Sequence, residues 1–150
     1  MNKPPLDIPA DVRAVLDAAR MARISVVDDA GVPLMTPACY VLEGHYLFFV
    51  TDNFPANIAP LREKQLEHLA SHPNMAAMVD YWEEDLNKIG MVLLRGMGEV
   101  LNAPGLEQRR VLALVRDKYE QYRGVNMKEQ AIIRMELFSV RYWGDLSRIV

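Results

Sequence analysis

Short turns between apolar segments restrict the fold of this chain more than any other feature. The turn signal at residues 28–31 and the pair Glu43-Gly44 each separate two stretches rich in β-branched and aromatic residues. Strands joined by such short turns pair antiparallel, whereas a parallel sheet needs a helix at nearly every crossover. The sequence therefore predicts a mainly β fold with helices: an antiparallel barrel or sandwich of six or so strands and about three helices.

Six segments are predicted to form the strands. The second contains Pro33 and Pro37, which cannot donate to a β-ladder, so we expect it at a sheet edge or broken by a bulge. In the fifth, Gly96 and Gly98 share a face with larger apolar residues, which indicates a strand bend, close backbone packing or contact with a ligand. The predicted strands are residues 22–28, 33–42, 46–51, 74–82, 91–101 and 132–143.

Apolar residues at helical spacing predict three helices. The first covers about residues 9–20 and the third about residues 105–122. The second begins near Ile58, with Asn57 as its expected N-cap, and Pro73 ends it. Its expected apolar stripe is Ile58, Leu61, Leu66 and Leu69.

Composition narrows the class of partner. The 150 residues, half of them apolar, predict one domain spanning residues 1–150. The net charge of −3 includes no long run of one sign, so neither nucleic acid nor an anionic membrane is indicated as a partner. A single cysteine, Cys39, and the lack of an apolar signal-peptide core or membrane span predict a cytoplasmic protein that binds a small molecule or another protein.

No side-chain constellation predicts a catalyst or a metal site. Cys39 and the serines lack a nucleophile elbow and an evident histidine partner. His68 and His72 stand four residues apart, but no third ligand accompanies them. The acidic run at residues 83–85 is most simply a solvated loop.

Two cations, Arg62 and Lys64, lie near the start of the second helix, where the helix dipole disfavours positive charge. One interpretation is a solvated helix face on which Glu63 and Glu67 supply counter-charges. The other is an anion bound at the amide-rich start of the helix. The residues alone leave both open.

The stretch from Met21 to Val100 resembles the pyridoxamine-5′-phosphate-oxidase-like family of flavin-binding split barrels, particularly its small flavin or deazaflavin oxidoreductases. Residues 31–37, Gly-Val-Pro-Leu-Met-Thr-Pro, match the family's Gly-x-Pro-x-x-x-Pro strand pair. A helix ending LxxHP at residues 69–73 follows, and then a strand reading MVDYWEED. The final IIRMELFSVRYWG is similar to the family's closing strand.

The resemblance implies a homodimer with FMN at the subunit interface. It implies that Arg62 and Lys64 hold the phosphate, that Thr51 faces it, and that the ring system lies along residues 36–37. Trp82, at a strand end, matches a rim position that reaches the partner subunit's cofactor. The implied cofactor-binding residues are thus Thr36, Pro37, Thr51, Arg62, Lys64 and Trp82.

The same resemblance implies an FMN-dependent oxidoreductase acting on a small molecule. The flavin would do the redox chemistry, so no side chain need be the catalyst. Coenzyme F420, a deazaflavin with a similar phosphorylated tail, is the nearest alternative to FMN. A different class also remains open: a non-catalytic module that stores or senses a flavin, haem or another planar ligand.

Overall fold

The computed structural model describes residues 6–149, and none of their helices is long and apolar enough to cross a membrane. Three α-helices and seven strands form the fold. The helices are α1 (Ala10–Ala18), α2 (Ala59–Ser71) and α3 (Leu106–Lys118). The strands are β1 (Ala22–Val27), β2 (Pro33–Ala38), β3 (Tyr40–Glu43), β4 (Tyr46–Val50), β5 (Asn74–Tyr81), β6 (Gly90–Leu101) and β7 (Ile132–Gly144).

All seven strands belong to one sheet, in the order β2-β1-β5-β6-β7-β4-β3, and every neighbouring pair is antiparallel. The two edge strands, β2 and β3, are consecutive in sequence and are separated by Cys39 alone. A one-residue link cannot span a flat sheet of this width, so the sheet curls until its edges meet. The predicted mainly β, antiparallel fold with three helices is confirmed as a curled half-barrel.

The predicted second strand is in fact two strands. Its prolines, Pro33 and Pro37, both lie in β2, which pairs with β1 on one side and has a free edge on the other. The expectation of an edge strand is therefore confirmed. The chain leaves β2 at Cys39, whose carbonyl accepts a hydrogen bond from the Val50 N–H (3.0 Å), and enters β3 at the opposite edge.

Two apolar cores lie on the two faces of the sheet. The larger fills the concave side and includes Leu16 of α1, Ile24 of β1 and Leu94 of β6. The smaller packs α3 against the outer face of β3, β4 and β7 and is rich in aromatic residues. Burial of these alternating side chains is the main force that holds the sheet in its curled form.

The helix ends differ from the predicted bounds. The N-cap position of α2 is Ile58, not Asn57, and no side-chain hydrogen bond caps the helix. Pro60 in the first turn presets helical geometry without such a cap. The third helix ends at Lys118, and residues 120–122 form a separate 3-10 turn.

Gly96 and Gly98 of β6 lie where atoms of adjacent strands and of α2 approach the backbone closely. A methyl group at Gly96 would lie 2.2 Å from the Glu136 carbonyl oxygen, beside an irregularity in the β6–β7 register. At Gly98 it would lie 2.6 Å from Sδ of Met75 and 2.7 Å from Cδ1 of Leu69. Close packing within the chain therefore accounts for both glycines.

Candidate functional site

The buried face of α2 carries polar side chains. Its buried residues are Arg62, Gln65 and Leu69, at intervals of three and four. The predicted apolar stripe is therefore only partly correct: Leu69 is buried, while Leu61 and Leu66 are half-buried. The solvated-face interpretation is wrong for Arg62, which is only 5% exposed.

The Arg62 guanidinium donates four hydrogen bonds to protein acceptors. Nε donates to the Asp52 carbonyl (3.3 Å) and Nη1 to Oγ1 of Thr36 (3.1 Å). Nη2 donates to the Pro37 carbonyl (3.1 Å) and to Oδ1 of Asp52 (3.4 Å). Arginine has five N–H groups, so one, on Nη1, remains. These bonds tie α2 to β2 and to the segment that follows β4.

Gln65 extends this network one helical turn along α2. Its Nε2 donates to Oγ1 of Thr36 (2.8 Å), so that hydroxyl oxygen accepts from both Gln65 and Arg62. Oε1 of Gln65 is buried without a hydrogen-bond partner. A buried polar atom without a partner is uncommon, and here it lies on a residue that contacts a predicted cofactor-binding threonine.

The carboxylate of Asp52 also accepts a hydrogen bond from the Tyr122 hydroxyl. Burial and that bond raise the pKa of Tyr122 well above its ordinary value, so the phenol stays protonated. Burial raises the pKa of the nearby Cys39 thiol, although a hydrogen bond with Tyr122 opposes the shift. The thiol is therefore neutral at physiological pH and a weak nucleophile.

A cleft of about 220 Å³ opens beside this network. Its polar wall is made by Asp52, Arg62 and Tyr122, and most of the remaining wall is apolar. An exposed aromatic ring, Phe54, stands on the segment between β4 and α2. The lining residues are Met21, Pro37, Ala38, Cys39, Asp52, Phe54, Arg62 and Tyr122.

The structure brings three of the six predicted cofactor-binding residues together, and a fourth directly precedes Asp52, which bonds to Arg62. Thr36, Pro37 and Arg62 are joined by hydrogen bonds. Thr51 is buried next to Asp52, and its hydroxyl donates to the Ala131 carbonyl. That hydroxyl keeps only acceptor capacity for other groups.

The other two predicted residues lie elsewhere. Lys64 is two positions beyond Arg62 on α2, a rotation of about 200°, and it is exposed. Trp82 follows β5 and is 69% exposed. Neither lines the cleft of its own subunit, so a contact with cofactor would require Lys64 to reorient and Trp82 to act across a subunit boundary.

This arrangement fits the planar part of a flavin better than its phosphate. The apolar wall suits a ring system. Arg62, however, is paired with a carboxylate and has one N–H left for an anion. At the start of α2, Pro60 has no N–H, and the N–H groups of Leu61 and Arg62 already bond to the Ile58 carbonyl. The expected phosphate contact therefore stays a prediction, and the N–H that remains on Nη1 of Arg62 is a donor available to it.

The sequence analysis missed Asp52, Gln65 and Tyr122 as parts of the site. The position of Asp52 directly after an apolar strand was the one local signal available. Among residues 6–149, no three His, Cys, Asp or Glu side chains form a cluster that could hold a metal ion. His72, considered as a ligand, instead contacts Oδ1 of Asp29 through Nε2 (2.7 Å).

Neither a protein-family model nor a curated protein matches this chain. Solved structures do. The haem storage protein HutZ from Vibrio cholerae is 12% identical, with a TM-score of 0.68 over 93% of this chain and 95% of that one. An FAD-binding protein from Mesorhizobium loti is 18% identical, with a TM-score of 0.64 over 90% and 94%.

A third structure is that of a candidate pyridoxamine 5′-phosphate oxidase from Listeria innocua. It is 12% identical, with a TM-score of 0.61 over 90% of this chain and 97% of that chain. Identities this low establish the shared fold alone. The chain thus has a fold found in split-barrel proteins that bind flavin or haem.

Proposed function

We propose that this chain is a homodimeric flavoprotein, an FMN-dependent oxidoreductase of the pyridoxamine 5′-phosphate oxidase-like class with a small-molecule substrate. When bound, the flavin supplies the redox chemistry, and the protein supplies position and electrostatics. The observation that carries the proposal is the cleft. It lies along Pro37 and Ala38 of β2 and beside Arg62, and the family resemblance puts the flavin along residues 36–37 and near Arg62.

The size of the cleft supports a site shared between two subunits. Small-molecule pockets usually measure roughly 300–1,000 Å³. At about 220 Å³, with Phe54 exposed at its side, the cleft of one subunit is too small to enclose a flavin. A second copy of the chain would complete it.

An apolar surface near the end of the sheet supports the homodimer. The last four residues of β7, 141–144, are exposed, and the exposed large apolar side chains of this strand are Phe138, Tyr142 and Trp143. Trp82 is at the same end, because Tyr81 pairs with Gly90 and Gly90 with Gly144. Exposed apolar patches of this kind mark interaction surfaces. Gly96 and Gly98, by contrast, are buried, so they would not form part of that surface.

Asp52→Asn tests the role of Arg62 in binding phosphate. The substitution removes the negative charge that neutralises the guanidinium and would repel a phosphate. We expect the preference for FMN over riboflavin, measured by fluorescence titration, to rise about tenfold, the size of one charge-assisted hydrogen bond. Because the two ligands are compared on one protein, a general change in stability cancels.

Glu63→Gln is the matched control. It removes one negative charge from the adjacent position of α2, where the side chain is exposed and does not contact the guanidinium. The ratio of the two affinities should be nearly unchanged. If Asp52→Asn also leaves the ratio unchanged, Arg62 does not bind the phosphate.

The Arg62–Asp52 pair favours one second candidate function, a module that binds a planar ligand without turnover. Among the described residues that line the cleft, Arg62 is the only cation, and Asp52 pairs with it. Equal affinities for FMN and riboflavin in the unmodified protein, or tight binding of haemin, would support this function. So would a bound flavin that neither nicotinamide nucleotides nor reduced F420 can reduce.

Binding of F420 in preference to FMN would identify the deazaflavin variant of the first proposal.

Trp82→Ala should weaken FMN binding about fivefold without lowering the melting temperature. Its ring is exposed within one subunit, so its loss creates no cavity, whereas a stacked aromatic contact across the interface is worth about 1 kcal/mol. Titration and thermal unfolding of the same preparation measure both quantities. Leu86→Ala is a suitable control, because Leu86 is equally exposed in the loop that follows. Unchanged affinity would remove Trp82 from the shared site.

A further inference from the structure

A second concave region shares no lining residue with the cleft. This groove measures about 380 Å³ and is formed by α1, β3 and α3. Its floor is apolar, with Val41 and Leu42 of β3 and Leu114 of α3. Its charged residues are Lys118, Asp17 and Asp117.

The amine of Lys118 lies against aromatic rings. Nζ is 4.0 Å from the ring centroid of Tyr40 and 5.3 Å from that of Tyr119. It also donates to the Leu16 carbonyl (3.4 Å) near the end of α1. Both tyrosines are fully buried, so these contacts hold the amine of Lys118, a residue that lines the groove, at a defined place in the fold.

Burial makes the ammonium form of Lys118 easier to deprotonate. Burial, assisted by the charge of Arg20, lowers the pKa of Lys118 to about 8, although Asp17 opposes the shift. At pH 7 such a lysine has about 300 times the free-base fraction of an ordinary one. The contacts with the two rings oppose this effect, because they stabilise the ammonium form. The pH dependence of the reaction of Lys118 with an aldehyde would give its actual pKa.

We propose that Lys118 is a covalent capture site for a small apolar aldehyde, which lies on the groove floor and forms an imine with Nζ. The nitrogen lone pair attacks the carbonyl carbon while the π electrons move to oxygen. Proton transfer from nitrogen to oxygen gives a carbinolamine. Loss of its hydroxyl and the remaining amine proton as water leaves a C=N bond. The step needs no oxidant or reductant, and desolvated lysines are the usual residues for it.

The walls of the groove determine which aldehyde fits. Val41, Leu42 and Leu114 favour an aliphatic or aromatic group. The carboxylates of Asp17 and Asp117 repel an anionic aldehyde and favour the protonated imine. The substrate class is therefore a neutral aldehyde with an apolar body.

Labelling of the intact protein with benzaldehyde and sodium cyanoborohydride at neutral pH tests the proposal. The reductant traps an imine as a stable benzyl amine, which peptide mass spectrometry locates. We expect Lys118 to be labelled at least about tenfold faster than Lys88 and Lys128, and to show a midpoint near pH 8. Glyoxylate, an anionic aldehyde, should prefer Lys118 less strongly than benzaldehyde does. Equal labelling of the three lysines with benzaldehyde, or a preference of glyoxylate for Lys118 as strong as that of benzaldehyde, would overturn the proposal.

Two measurements separate a binding groove from an amine that is merely reactive. Benzyl alcohol, which cannot form an imine, should protect Lys118 from benzaldehyde but not from formaldehyde at low concentration. Leu114→Trp should fill the groove and slow benzaldehyde labelling, whereas Leu106→Trp, at an exposed position of the same helix, should not. If benzyl alcohol does not protect Lys118 in the unmodified protein, the groove does not bind the aldehyde, even if Leu114→Trp slows labelling.

Discussion

Arg62→Ala is expected to lower the free energy of unfolding by about 3 kcal/mol. The substitution leaves the buried carboxylate of Asp52 without its cationic partner and removes four hydrogen bonds that join α2 to β2 and to the segment after β4. Breaking one side of a buried ion pair costs more than the pair contributes, because the remaining charge stays desolvated. Urea denaturation of the purified protein measures the change.

Lys64→Ala is the matched control on the same helix. Its side chain is exposed, and we expect a change within about 0.5 kcal/mol. A combined substitution of Arg62 and Lys64 by Ala would not separate cofactor binding from folding, because Arg62 is part of the buried hydrogen-bond network. Equal, small effects of the two single substitutions would show that the guanidinium is not buried in solution.

Gly96→Val should destabilise the protein by about 3 kcal/mol. The first side-chain carbon would lie 2.2 Å from the Glu136 carbonyl oxygen, a backbone atom of β7 that cannot move without opening the ladder. Gly124→Ala is the control, because an added methyl group there meets nothing within 4 Å. Thermal unfolding of both variants tests the difference. A stable Gly96→Val protein would mean that β6 and β7 separate easily at this point.

Much of the fold could be predicted from local signals. These signals are the turns, the alternating apolar residues, and Pro33 and Pro37, which cannot donate to a β-ladder. They predicted an antiparallel sheet with those prolines in an edge strand, as the structure shows. The division of residues 33–42 into two strands at opposite edges could not be predicted in the same way. It depends on the curl of the whole sheet, which brings distant edges together at Cys39.

The candidate site could be predicted only in part, because its central contact depends on distant residues. Helical spacing places Arg62 near Gln65 and Leu69 but does not say that this face is buried. The partner that makes burial of Arg62 tolerable is Asp52, ten residues away, and Asp52 in turn bonds to Tyr122, seventy residues further on. Only the folded chain brings these three together.

Size-exclusion chromatography of the protein mixed with FMN, with light scattering and visible absorbance recorded on the same peak, tests the shared flavin site most directly. The expected result at micromolar concentration is a dimer that carries about one FMN per subunit. A stable monomer that carries flavin would contradict a site shared between subunits. A dimer that elutes without FMN, and equally without F420 or haemin when these are supplied, would contradict cofactor binding.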